Sequence, residues 1–240
     1  MVNDLDHRRI ERELLDNLPP DDPRAVGSRR DLAWINALMF QSAIMASLLK
    51  ASVRKSPTRF LEIGSGDGAF MLSVAKRLAR RWTDVDLVML DQFNLISDRR
   101  FADFYALGWR VEIIIDDVFE WIESPRAGAF DVVSANLFLH HFPDAALKRL
   151  FLAIRPLAPV FLATEPSRNA IALRACSLLH IIGANEVTLH DAPASVRAGF
   201  AGHELSSLWP PDFRRQCAER RIGPFTHAFL AVDRASEGLP

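Results

Sequence analysis

Residues 61–68 read Leu61-Glu62-Ile63-Gly64-Ser65-Gly66-Asp67-Gly68. An apolar run that ends in alternating glycines suits a buried strand turning sharply into a helix. Glycine tolerates positive φ and lets backbone amides come close to a ligand. The next residues keep the promise of a helix: Phe70, Val74, Ala75 and Leu78 share one face, with Lys76, Arg77 and Arg80 outside. A buried strand feeding a helix is the first half of a βαβ unit, so the chain is expected to build a parallel sheet covered by helices.

The rest of the chain repeats that rhythm. Val85–Leu90 reads as a second strand ending at Asp91, followed by a helix to about Leu107 with Gly108 as its cap. Val111–Ile115 and Phe130–Ser134 read as strands three and four. Pro143 opens a helix with Leu147, Leu150, Phe151 and Ile154 at i, i+3, i+4 and i+7, and Pro156 closes it. Val160–Thr164 is the fifth strand. Phe213–Arg221 and Phe225–Val232, joined at Gly223-Pro224, form an antiparallel edge hairpin. The expected fold class is therefore α/β: a Rossmann-like, doubly wound, mostly parallel seven-stranded sheet with an antiparallel C-terminal hairpin.

Residues 1–57 read as helices and are assigned to an N-terminal helical cap or substrate lid; residues 58–240 form the main domain, with a helical insertion at about 168–211. Ile10, Leu14, Leu15 and Leu18 follow helical spacing up to Pro19-Pro20. From Arg30 to Lys50 apolar residues, including Trp34, Leu38, Met39, Phe40 and Met45, surround most of one helix. Such a helix must be covered by a domain, a partner chain or an apolar substrate, which leaves a homodimer open. Ala170–Ile182 reads as an amphipathic helix, and 184–211 as loop-rich with short helical stretches.

Composition narrows the function. A formal charge of −1 over 240 residues offers no nucleic-acid or anionic-membrane partner. Leu32–Leu49 is too interrupted by polar residues for a stable membrane span. The N-terminus lacks an apolar signal core, and Cys176 and Cys217 show no metal or disulfide spacing, so a reduced cytoplasmic setting without a metal is expected.

Ligands of parallel α/β sheets bind beyond the carboxyl ends of the strands, and polar residues cluster there. Glu62 lies in strand one, just before the glycines, where a carboxylate can order the loop and meet a cationic ligand. Asp91 ends strand two, Asp117-Val118 follows strand three and Asn136 follows strand four. Gly64, Gly66 and Ala69 also satisfy G-x-G-x-x-A, with Asp91 at a plausible ribose spacing. An NAD(P)-dependent oxidoreductase is thus one alternative, and a cofactor-binding subunit without catalysis is another.

The stretch from Phe60 to Val160 resembles the class I S-adenosylmethionine-dependent methyltransferase family, small-molecule O-methyltransferase type. The resemblance rests on LEIGSGDG, on Asp91, on the Asp-Val step after strand three and on FDVVSANLFLHHF around strand four. It implies S-adenosyl-L-methionine as cofactor and a small-molecule acceptor. Glu62, Gly64, Ser65, Gly66 and Gly68 would serve the methionine part, Asp91 with Gln92 the ribose, Asp117 and Val118 the adenine, and Asn136 the methionine tail or the substrate. His140 falls on the histidine that deprotonates a hydroxyl in some of these enzymes, and Glu165 on the glutamate that orients it. Trp34, Met39, His141, His190 and Arg197 are the candidate substrate contacts. Apolar residues Leu178, Leu179, Ile181 and Ile182 of the insertion add to the expected pocket, which points to an apolar or aromatic hydroxyl-bearing acceptor.

Overall fold

The computed structural model describes residues 5–124, 129–211 and 215–233. Among these, seven strands form one sheet: β1 (Arg59–Ile63), β2 (Val85–Asp91), β3 (Trp109–Ile115), β4 (Val132–Asn136), β5 (Val160–Pro166), β6 (Arg215–Ile222) and β7 (Thr226–Asp233). The spatial order is β3-β2-β1-β4-β5-β7-β6. The first five strands are parallel, and β7 and β6 add antiparallel at the edge. Strand order reverses between β1 and β4, the kind of switch point that opens a crevice at the strand tips.

Strand alternation divides the core in two. Leu61, Ile63, Val133, Ala135, Phe161 and Ala163 face α6 (Asp144–Ile154) and its neighbours. Phe60, Leu87, Met89, Val132 and Leu162 face α2 (Gln41–Ser52), α3 (Ala69–Leu78) and α4 (Asp98–Ala106). Each fully buried large apolar side chain contributes about 1.5–3 kcal/mol relative to exposure. Under the hairpin edge, Trp209 lies 5.0 Å from the Phe151 ring and 5.4 Å from Phe161, fastening α6 to β5.

The N-terminal segment departs from a run of regular helices. Of the stretch expected to be helical up to Leu18, a single 3-10 turn, Leu15–Asn17, forms. The long helix expected from Arg30 to Lys50 is two: α1 (Pro23–Leu38) and α2, bent by 58°. Phe40 sits at the break with φ 56°, a left-handed residue that cannot continue a helix. Among the described residues no single helix is long and apolar enough to cross a membrane.

The segment 168–211 is more regular than its sequence suggests. The helix expected over 170–182 is α7 (Ala170–Cys176) followed by a 3-10 turn, and 184–211 holds α8 (Glu186–Ala198) and α9 (Glu204–Leu208). Asn185 caps α8 through the Thr188 amide, and Val187, Asp191, Ala194 and Ala198 form its buried face despite Pro193. A short α5 (Val118–Ile122), capped by Asp117, fills the link after β3. The first hairpin strand ends one residue later than expected, at Ile222, and the second runs one residue later, over Thr226–Asp233; Phe213 and Arg214 lie outside the described residues.

Candidate active site

The crevice at the strand tips holds two adjoining lobes of about 330 and 350 Å³. Asp16, Gly64, Asp91, Phe93 and Leu137 line both. The first lobe runs between the glycine loop and α1, past Glu62, Asn136, Leu32 and Asn36. The second runs past Gln92, Asp116, Val118, His141 and Phe142.

Register explains the polar floor of the first lobe. Glu62 pairs with Ser134, and Asn136 with Thr164, across neighbouring strands. The four side chains therefore share the sheet face that carries α2 and α3. Ser134 Oγ donates to Glu62 Oε2, and Thr164 Oγ1 donates to Asn136 Oδ1 at 2.8 Å. Burial pushes the Glu62 carboxyl up to about 8, and the Ser134 hydroxyl offsets only part of that. Glu62 does not bond the glycine loop; that task falls to Asp91.

Asp91 Oδ2 accepts the Gly66 amide at 2.8 Å, and Oδ1 accepts the Phe93 amide at 3.1 Å. Burial raises its pKa against the pull of these amides. Ser65 and Gly66 line the first lobe, while Gly68, at φ 74°, turns the chain into α3 behind the wall. Asp117 does not line the second lobe. Its Oδ1 accepts the Phe119 amide at 2.8 Å and its Oδ2 the Gln92 side chain at 3.1 Å, so Asp116 and Val118 face the cavity instead.

Beyond β4, Leu137 takes φ 51°. Glu165, fully buried at the β5 tip, gathers the following turn: it accepts the amides of Phe138, Leu139 and His140 at 3.0, 2.9 and 3.3 Å. It also meets His140 Nδ1 at 2.8 Å, so the two residues expected to pair do so. His140, however, is 3% exposed and absent from both cavity walls. Its Nε2 points to Glu13 Oε1 at 3.5 Å. Burial opposes charge on this ring, but Glu13 and Glu165 outweigh it and lift the pKa to about 9. The His141 ring lies against it, tilted by 33° with centroids 4.2 Å apart, and reaches the cavity. Burial and the neighbouring His140 charge hold His141 down at about 4.

A strap over residues 5–18, irregular apart from the 3-10 turn, closes this end. Arg8 donates to Asp144 at 2.8 Å, to the Phe142 and Ala198 carbonyls at 3.0 and 2.9 Å, and lies 4.2 Å over the Phe200 ring. The Leu14 and Leu15 amides bond Asp191 at 2.8 and 3.0 Å. The strap brings Leu15, Asp16 and Leu18 to the cavity wall. Asp16 is pushed up to about 6, mainly by burial and then by Glu13 and Asp191.

The other expected substrate contacts fall elsewhere. Trp34 is on the outer side of α1 at 47% exposure, and Met39 sits in the turn after it; neither reaches a cavity wall. The α1 face that does is Arg29, Leu32, Ala33, Asn36 and Ala37, a strict i, i+3, i+4, i+7, i+8 series. That helical spacing, not the bulk of Trp34, marks the cavity face in the sequence. His190 bonds Asp191 at 2.8 Å away from the cavity, and Arg197 is likewise off its walls. Leu178, Ile181 and Ile182 are exposed rather than turned to a pocket.

Comparison with known proteins agrees with this geometry. The family model described as "Methyltransferase domain" matches residues 30–198, well over half of the chain. No curated protein matches the sequence closely enough to count as a relative. Among solved structures, a Nostoc punctiforme protein assigned as an O-methyltransferase shares 15% identity at TM-score 0.61, over 95% of this chain and 64% of its own. The plantazolicin methyltransferase BpumL, with a monoazolic desmethylPZN analog and SAH, shares 16% at 0.61, over 89% and 91%. An O-methyltransferase family protein from Burkholderia thailandensis shares 19% at 0.55, over 89% and 60%. The chain thus spans under two thirds of the first and third. These likenesses show a common fold, and the nicotinamide alternative finds no support among them. With the glycine loop, the acid at the β2 tip and the matched profile in agreement, the chain belongs to the methyltransferase-domain family.

Proposed function

We propose that this protein transfers a methyl group from S-adenosyl-L-methionine to a small, apolar or aromatic hydroxyl-bearing acceptor. The carrying observation is a mismatch in the first lobe. Glu62 is a buried carboxyl without a cation beside it, and Asn36 Oδ1, on the opposite wall, is a buried acceptor without a hydrogen-bond partner. An unmet acceptor such as Asn36 Oδ1 costs free energy until a donor arrives, and Glu62, bonded only by the Ser134 hydroxyl, takes on its charge readily once a positive group lies beside it. A ligand with ammonium and sulfonium charges meets both.

When bound, the cofactor supplies an electrophilic methyl on a sulfur that is already a good leaving group. The loop Gly64-Ser65-Gly66 and Asn136 hold its amino-acid end, and Glu62 balances its charge. Asp91 and Gln92 serve the ribose; Asp116 takes the adenine role first assigned to Asp117, with Val118 packing on the ring. Leu15, Leu18, Pro20, Leu32, Ala33 and Phe70 give the first lobe apolar walls suited to an organic acceptor. The strap and α1 exclude water and align the reactants, which is the main demand of an in-line transfer. Both ring nitrogens of His140 face carboxylates, so it accepts a proton from an acceptor only after Glu13 moves aside.

Methyl-labelled S-adenosylmethionine incubated with the protein and a panel of small molecules tests this. Label is expected in phenolic or other apolar hydroxyl compounds. Label found only in protein, nucleic acid or polar amines contradicts the assigned acceptor class.

A further inference from the structure

We propose that Glu13, His140 and His141 bind one divalent transition-metal ion at the strap end of the cavity. The donor atoms of these three residues all lie within 4.8 Å of one another. No sequence spacing announces them, because Glu13 comes from the strap and the histidines from the turn after β4.

Three further features fit a metal. Metal-bound imidazoles nearly always give their second nitrogen to a carboxylate or carbonyl, which fixes the tautomer and orients the ring. His140 Nδ1 is held in that way by buried Glu165 at 2.8 Å, leaving Nε2 turned towards Glu13. Glu13 is itself steadied by the Ser195 hydroxyl. Asp16 Oδ2 stands 3.6 Å from His141 Nδ1, near enough to orient that ring. Two imidazoles and a carboxylate suit zinc, cobalt or ferrous iron rather than magnesium or calcium, which prefer all-oxygen cages.

Ligand bonds of about 2.0–2.2 Å draw such donors to roughly 3.3 Å apart, so a bound ion tightens the group by about an ångström. Glu13 Oε1 already stands 3.5 Å from His140 Nε2, so most of that closure falls on the His141 ring. His141 and Asp16 line the cavity, so the open coordination position faces the acceptor. This part rests on the methyl-transfer reading: a hydroxyl oxygen at that position releases its proton to water near neutral pH. The acceptor is then nucleophilic without a free histidine base.

The alternative occupant of the same space is a proton, leaving an imidazolium between Glu13 and Glu165. Chelator-treated full-length protein titrated with Co²⁺ alone separates the two. One equivalent per chain, with a visible ligand-field band displaced by Zn²⁺, is expected. His141→Ala and Glu13→Gln should each weaken it by about tenfold or more, while His180→Ala, on an exposed turn, should not. Absence of stoichiometric Co²⁺ binding, or binding untouched by both variants, overturns the site. Glu13→Gln preserves shape, so it remains informative if His141→Ala does not fold. Thermal stabilisation by S-adenosylhomocysteine is read on the same samples. Metal binding without it sinks the methyl-transfer reading and leaves the metal site standing; the reverse result sinks the metal site alone.

Discussion

Gly64→Ala should lose S-adenosylhomocysteine binding and about 2–5 kcal/mol of stability. Two costs combine. Gly64 has φ +66°, and an L residue held in that region is strained by about 1–2 kcal/mol. The new Cβ would also stand 2.2 Å from Phe138 Cδ2 and 2.5 Å from Cγ, an overpacking worth about 1–3 kcal/mol. Phe138 has little room to retreat. Its ring packs edge-on against Phe142 at 5.0 Å, and its amide is tied to Glu165. Gly66→Ala is the comparison. Its φ is +55°, but nothing lies within 4 Å of the added atom, so only the strain of about 1–2 kcal/mol applies. Denaturant titration and calorimetry on both variants check the ordering. A Gly64→Ala protein as stable as Gly66→Ala, with unchanged affinity, contradicts the packing account.

Affinity for S-adenosylmethionine should rise with pH by up to about tenfold per unit until pH is about 8, then level off. Glu62 is mostly protonated at pH 7 because burial raises its pKa from 4.5 to about 8. A cation placed beside it favours the carboxylate, so binding expels a proton below that pH and is helped by alkali. The same shift has the opposite sign in the ligand-free protein. There, stability contributed by the neutral carboxyl is full below about 4.5 and declines as pH climbs towards about 8. Equilibrium dialysis between pH 6 and 9 gives the slope, and Glu62→Gln should flatten it. A wild-type affinity with no pH dependence means that Glu62 does not face the cofactor's charge.

Much of the scaffold was legible because it is local. Short apolar runs, the glycine loop and the acid ending β2 are all set by neighbouring residues, and the parallel strands with their antiparallel C-terminal hairpin follow. What was hidden depends on distant partners. Asp117 looked like an adenine contact, yet the unforeseen α5 claims it as a cap. The Asp116-Asp117 pair gives no sign of which side chain turns outward. Trp34 and Met39 are apolar and expected at the pocket, whereas Ala33, Asn36 and Ala37 face the cavity because of helical phase. His140 and Glu165 were readable as a pair, but Glu13 was not. Its place beside His140 comes from the strap, which Arg8 and Asp191 fasten through contacts far apart in the chain.

Calorimetric titration of the wild-type protein with S-adenosylhomocysteine, run beside NAD⁺, probes the core of this account. One site per chain for the thioether nucleoside and no heat from the dinucleotide is the predicted outcome. Heat from NAD⁺ with none from S-adenosylhomocysteine would show that the crevice between β1 and β4 was built for a different molecule.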